Sequence, residues 1–498
     1  MNPYVIAALS GVLAVGGFAP WGIFPLAIVS LAILFGLWNK HTLPCTAFLL
    51  GFSFGMGFFV AGVGWIYVAL HEYGHMPMLL AGLATGLFAA FLALFPAAAG
   101  YLQSRLPSSM QWVKLCLMMP AIWVGIELVR GYIMTGFPWL TLGYSQVPAS
   151  PLAGFAPVLG VYGVTLLVAL SAGLTVLFVQ HPKHRQGKVA AGLFLIIWLT
   201  GAALLRIEWT SPQGEPFKVS LLQGNIAQDE KFDAQSRRAT MEIYYQMLLG
   251  SDARLIVYPE TALPLLRSQL PQDYTGLLRE VAQRQGSDIL LGAFEREQGL
   301  FYNSMFLFGI SGEQAYRKNH LVPFGEFIPV RSVLGWFINN VLNIPMSDLS
   351  SGGENQPLLK IADQQIAVNI CYEDVFGEEI IRALPGATLL LNTSNDAWYG
   401  ESSAAIQHNQ ISQMRALETG RMMLRATNTG VTSVIDRNGK ILAMLPQHQR
   451  AVLTEQVQGY SGATPYVRWG NTAIFGLLSG IFVLLGWLHF ATLKARKS

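Results

Sequence analysis

The sequence predicts two bodies of different class: a polytopic α-helical membrane domain of about eight spans, and an extracytoplasmic α/β domain. Three observations carry this. Of 498 residues, 52% are hydrophobic and 12% charged, against about 25% charged in a soluble globular domain. The charge is also unevenly placed. Residues 1–206 hold ten charged side chains, whereas 214–458 hold 20 basic and 26 acidic ones, a net −6. Finally, apolar runs of roughly the 20 residues needed to cross a bilayer recur outside the polar region. No long basic run points to nucleic acid.

In chain order the apolar segments fall near 4–20, 22–38, 45–70, 76–102, 112–130, 157–180 and 189–206, with an eighth at 471–490. The first is short and holds Gly16, Gly17 and Pro20, so it reads as a hairpin arm. It lacks the basic start of a cleaved signal peptide. Glu127 and Arg130, near one span end, read as a pair. Orientation follows from Lys and Arg. A cytoplasmic N-terminus puts Lys40, Arg105, Lys114, Lys183, Arg185, Lys188, Lys494, Arg496 and Lys497 inside, against Arg130, Arg206 and Arg468 outside. The polar region, entered after seven crossings, is then extracytoplasmic. The expected domains are 1–207 (membrane), 214–458 (catalytic) and 469–492 (C-terminal span). Cys45 and Cys116 fall in membrane segments and Cys371 alone in the polar region, so no disulfide forms within that region.

In the polar region short β-rich runs alternate with helical patterns, the mark of an α/β domain. Strands are expected at 218–222, 254–258, 289–294, 304–308, 365–371, 388–392 and 432–436. Helices are expected at 237–249, 272–285, 374–384 and 403–426. The last would bring Arg415, Glu418, Arg421 and Arg425 together along one helix. Polar residues close three of the strands: Glu260 after LIVYP, Cys371 after QIAVNI, and 392–396 after TLLL. Strand ends are where sites assemble in α/β domains. Taken singly, Cys371 reads as a small buried hydrophobe, Glu260 as a loop acid and Lys318 as a strand-end charge.

Their surroundings alter that reading. YPET at 258–261, RKNHLVPFGEFIP at 317–329 and NICYEDVF at 369–376 resemble, in order and spacing, the Glu, Lys and Cys motifs of the nitrilase (carbon–nitrogen hydrolase) superfamily. GFAPWGIFPLA at 17–27, GWIYVALHEYG at 64–74 and GFPWLTLGYSQ at 136–146 resemble its membrane-embedded branch, the apolipoprotein N-acyltransferases of the bacterial inner membrane. The resemblance implies an α-β-β-α sandwich on the periplasmic face, with no metal or other cofactor. It implies Cys371 as the nucleophile that takes an acyl chain from a phospholipid as a thioester. The chain would then pass to the α-amine of a diacylglyceryl-cysteine at a lipoprotein's N-terminus. Glu260 would be the general base and Lys318 the oxyanion-stabilising cation, aided by backbone N–H groups near Tyr372. Glu326 would orient Lys318 or the second substrate, with Tyr372 and Glu373 supporting the nucleophile. Members of the family often carry Trp where this chain has Phe232. Segments 136–144 and 324–344, with Trp336 and Phe337, would guide acyl chains.

Three other readings compete. A membrane-anchored amidase keeps the nucleophile and passes the acyl group to water, but needs no eight-span platform. His71-Glu72-Tyr73-Gly74-His75 fits H-E-x-x-H, the pattern of a zinc protease, although Gly74 and Pro77 should close the helix across the motif. A transporter with a sensor domain requires a polar pathway that these spans lack.

Overall fold

The computed structural model describes residues 1–106, 110–231, 233, 235–328 and 348–497. They fall into two compact units: Met1–Tyr67, Met78–Ile207 and Arg468–Ser498 form one, and Val68–Pro77 with Glu208–Val467 the other.

The first unit is a bundle of apolar helices. Among the described residues, six are long and apolar enough to cross a membrane: Pro44–Val63, Met78–Arg105, Gln111–Thr135, Pro151–Gln180, Arg185–Leu204 and Thr472–His489. The first two helices, Pro3–Val15 and Pro25–Lys40, have 13 and 16 residues. At 1.5 Å per residue the longer reaches about 24 Å, short of a hydrocarbon core of about 30 Å. Short reach therefore extends beyond the first segment, where the sequence placed it, to the second. Several helices begin with Pro at a first-turn position, whose missing N–H has no helical partner to lose. Glycine lets them approach one another. A methyl group on Gly55 would lie 2.6 Å from Ala93 Cα, so Pro44–Val63 and Met78–Arg105 pack backbone to backbone. The hydrogen bonds of Glu127 and Arg130 reach the segment after their helix. Arg130 donates to the carbonyls of Phe137 (2.7 Å) and Trp139 (2.6 Å), while Glu127 accepts from Trp123 Nε1 and Leu142 N.

Among its described residues the second unit holds twelve strands: β1 (Ser211–Gln223), β2 (Leu255–Val257), β3 (Asp288–Glu297), β4 (Leu300–Gly309), β5 (Gln314–Arg317), β6 (Leu359–Ile361), β7 (Gln364–Ile370), β8 (Leu389–Ser394), β9 (Met423–Thr427), β10 (Ser433–Ile435), β11 (Ile441–Met444) and β12 (Ala451–Ser461). They form two six-stranded sheets, ordered β12-β1-β2-β3-β4-β5 and β11-β10-β9-β8-β7-β6. Alternation sorts the side chains. Leu255, Val257, Leu290 and Leu307 of one sheet meet Ile366, Val368, Leu391 and Leu424 of the other in a shared core. Ile256, Ile289 and Leu291 face outward onto Tyr244, Leu248, Leu278 and Val281 of the helices Arg237–Leu249 and Gln272–Gln285. Ala367, Leu390 and Met423 pack outward with Ala416 and Ile380. The layers run α-β-β-α, as the resemblance implies.

Two expected helices change. The stretch expected at 374–384 is a string of single turns, Cys371–Val375, Gly377–Ile380 and Ile381–Ala383. The helix expected over 403–426 stops at Thr419, because Gly420 takes a left-handed conformation (φ +63°) as its cap. Residues 423–427 become β9. Arg415 and Glu418 do pair, at 2.9 Å, but Arg421 lies in the turn and Arg425 on the strand.

Candidate active site

Parallel strands β2, β7 and β8 deliver their C-terminal ends to one place. Glu260 follows β2 on a turn that Gly292 of β3 permits, since a Cβ there would lie 2.6 Å from Thr261 N and strike Pro259 O. Lys318 follows β5, its backbone N–H donating to Asn303 O of β4 (2.8 Å). Cys371 follows β7 with φ +53°, a left-handed conformation that costs a non-glycine residue about 1–3 kcal/mol. Such a sharp turn after a strand is how a nucleophile is lifted clear of a sheet.

Three of the expected residues are hydrogen-bonded together. Lys318 Nζ donates to Glu326 Oε1 at 2.8 Å and to Glu260 Oε1 at 3.3 Å. Its side chain is 1% exposed. Burial works against its charge, but the carboxylates of Glu260 and Glu326 hold the ammonium well above the ordinary lysine range. Asn303 Nδ2 donates to Glu260 Oε1 (2.8 Å) and the Asn395 backbone N–H to Oε2 (2.9 Å). Glu326 Oε2 accepts from Val322 N at 2.8 Å. Cys371 lies close enough to feel both Glu260 and Lys318. Burial, followed by Glu260, pushes its thiol up against the pull of Lys318. These surroundings favour the thiol of Cys371 over the thiolate.

Glu373 serves the backbone. Glu373 accepts from Ile370 N, Asn319 N (2.6 Å), His320 N (3.1 Å) and Tyr316 OH (3.0 Å). It thereby ties the strand before Cys371 to the loop after Lys318. Burial pushes its carboxyl up to about 7, against those backbone donors. Tyr372 packs edge-on against Phe376 and His320. Phe232, Trp336, Phe337 and residues 329–344 lie outside the described residues.

Other residues at the site were not expected. Buried Lys231 donates to Glu260 O (3.2 Å) and Thr261 Oγ1 (2.9 Å). Burial lowers its ammonium to about 7, against Glu260 and Cys371. Asn303 and Asn395 hold Glu260, and beneath Cys371 sit Asp374, Asp396, His408 and Arg425. Asn395 and Asp396 fall in the polar strand end at 392–396 and Asp374 in NICYEDVF, whereas Lys231, Asn303 and His408 carried no signal in the sequence.

The H-E-x-x-H stretch has another shape. Ala69–Tyr73 is a π-helical turn, His75 has φ +51°, and His71 Nδ1 lies 2.9 Å from Met76 O. The two histidines are not on one continuous α-helical face. Tyr73 instead packs edge-on against Trp398.

The comparisons with known proteins agree with this arrangement. Residues 10–174 match the model of the apolipoprotein N-acyltransferase N-terminal domain, and 218–466 that of carbon-nitrogen hydrolase. A Nitrosomonas europaea protein named apolipoprotein N-acyltransferase is 52% identical over 98% of both chains. Proteins of the same name from Methylococcus capsulatus and Chromobacterium violaceum are 42% and 41% identical, over 97% of this chain and 95% and 93% of theirs. With such identity running through both the helical unit and the two-sheet unit, the chain belongs to the apolipoprotein N-acyltransferase family.

Proposed function

We propose that this protein moves an acyl chain from a phospholipid, through a thioester on Cys371, to the N-terminal α-amine of a diacylglyceryl lipoprotein. It would do so on the extracytoplasmic face of the bacterial inner membrane. The observation that carries the reading is the buried Glu260–Lys318–Glu326 network at the strand end beside Cys371. Glu260 takes the thiol proton as sulfur attacks the ester carbonyl. Lys318 stabilises the oxyanion that forms. Collapse breaks the ester C–O bond, and the proton held by Glu260 goes to the departing lysophospholipid. In the second half the amine attacks the thioester carbonyl and loses a proton to Glu260. The C–S bond breaks, and that proton restores the thiol. Each half-reaction uses the same base, so no cofactor enters.

The amidase and zinc-protease readings are not favoured. Relatives named for N-acyl transfer match the helical unit as fully as the catalytic one. The test is the product's mass after purified protein receives phospholipid and a diacylated lipopeptide. One added acyl group is expected. Hydrolysis to free fatty acid alone would replace this reading with the amidase, and a shortened peptide with the protease.

A further inference from the structure

Beneath Cys371 lies a buried polar cluster that the reaction above does not use. The carbonyl oxygen of Cys371 accepts from Asn392 Nδ2 at 3.0 Å, and His408 Nε2 lies 3.2 Å from it. Asn392 comes from β8 and His408 from the helix Ala404–Thr419. Both are at most 2% exposed.

The imidazole is held on both edges. Its Nε2 lies 2.8 Å from Asp374 Oδ1, and its Nδ1 3.0 Å from Asp396 Oδ1 and 2.6 Å from Arg425 Nη2. Arg425 also bonds Asp374, Asp396 and Asn392. The charged groups facing His408 are thus two carboxylates and one guanidinium, which a protonated imidazole balances. Burial and Arg425 work against that charge, but Asp374 and Asp396 raise His408 above the ordinary histidine range. Whichever its charge, Nε2 faces the oxygens of Cys371 and Asp374 and carries its hydrogen toward them.

We infer that His408 and Asn392 are positioning residues that clamp the Cys371 carbonyl. The clamp holds the nucleophile's left-handed backbone and sets the plane of the Cys371–Tyr372 peptide. In a trans peptide the carbonyl and the next N–H point in opposite directions. Fixing the Cys371 oxygen below therefore aims the Tyr372 N–H at the side where the oxyanion forms. The clamp also stabilises a backbone conformation that Cys371 would otherwise leave. Substrate never meets His408, so its loss should slow chemistry without weakening lipid binding.

This inference rests on Cys371 being the nucleophile, and one assay separates the two claims. Single-turnover acylation of Cys371 is followed by mass spectrometry, with phospholipid and no amine acceptor. If wild type gains no hydroxylamine-sensitive acyl mass on Cys371, the functional reading falls. Given that adduct, His408→Ala should lower the maximal acylation rate by about 10²-fold, the scale of a misplaced reacting group. The phospholipid concentration for half-maximal rate should stay within about twofold of wild type. His408→Gln restores a donor at the Nε2 position and should recover most of the loss. Asn392→Asp, which keeps size and the Arg425 contact but faces the carbonyl with oxygen, should slow acylation in the same manner. It also supplies the test should His408→Ala not fold. Acylation within twofold of wild type in folded Asn392→Asp would overturn the clamp. Equal losses in folded His408→Ala and His408→Gln would do the same.

Discussion

At the scale of single residues, Cys371 differs from cysteines that rest as thiolate–imidazolium pairs. Burial and the neighbouring Glu260 both oppose ionisation, and only Lys318 favours it. The thiolate fraction is then small at neutral pH and keeps rising with pH. Alkylation of Cys371 by iodoacetamide should accelerate steadily between about pH 6 and 9 with no plateau, whereas a preformed thiolate would react at a flat rate. The acyl adduct gives the companion prediction. Glu260→Gln, which removes the proton acceptor, should slow its formation by about 10²–10⁴-fold. Lys318→Ala should cost about 10²–10³-fold, and the double variant less than the product of the two. Cys371→Ser should not accumulate the adduct. Rapid-quench mass spectrometry reads all four variants. An adduct on another residue would remove Cys371 from the chemistry. Glu260, Lys318 and Cys371 were legible because each sits in a short motif and the three motifs follow in order. Glu326, in the same motif as Lys318, was legible too, but the pairings of Asn303 and Asn395 with Glu260 were not. Asn395 meets Glu260 across 135 positions of chain and Asn303 across 43, and no local pattern encodes such a pairing.

At the scale of elements, legibility followed periodicity. Arg237–Leu249 and Gln272–Gln285 form over the residues expected, because their apolar positions recur at helical spacing. The region 420–427 was misread. RMMLRAT is rich in good helix formers and shows no alternation, since β9 is buried along its whole length. Gly420 was the stop signal, and without β9 the sequence could not place Arg425 beneath Cys371. Strand β12 was also missed, although its apolar positions Val452, Leu453 and Val457 mix with polar ones as a half-exposed edge strand would. Gly292 offers a test at this scale. Its missing Cβ is the space through which the Glu260 turn passes. Gly292→Ala should lower stability by about 1–3 kcal/mol through overpacking, and it should slow Cys371 acylation out of proportion to that loss. Thermal unfolding and adduct formation on the same preparation check this. A destabilised protein acylating at the wild-type rate would show that the Glu260 turn tolerates the push.

At the scale of the whole molecule, topology rests on charge counting, and the short first helices leave it intact. Should Pro3–Val15 and Pro25–Lys40 dip in and return together, two crossings are lost, and an even change leaves every later segment on its former side. Lys40 stays with the N-terminus, and residues 208–467 stay opposite it. The orientation therefore depends on the nine-to-three excess of Lys and Arg, and not on whether six or eight helices span. A reporter active only outside the cytoplasm should be active when fused after Arg206 and silent when fused after Lys497. Adding four lysines beside Arg130, in a turn that is otherwise almost free of basic residues, should reduce the first signal by weakening the asymmetry. Activity after Lys497 with silence after Arg206 would place Cys371 in the cytoplasm. There it could not meet a lipoprotein whose N-terminus is exposed outside, so the proposed acceptor would fail with the topology.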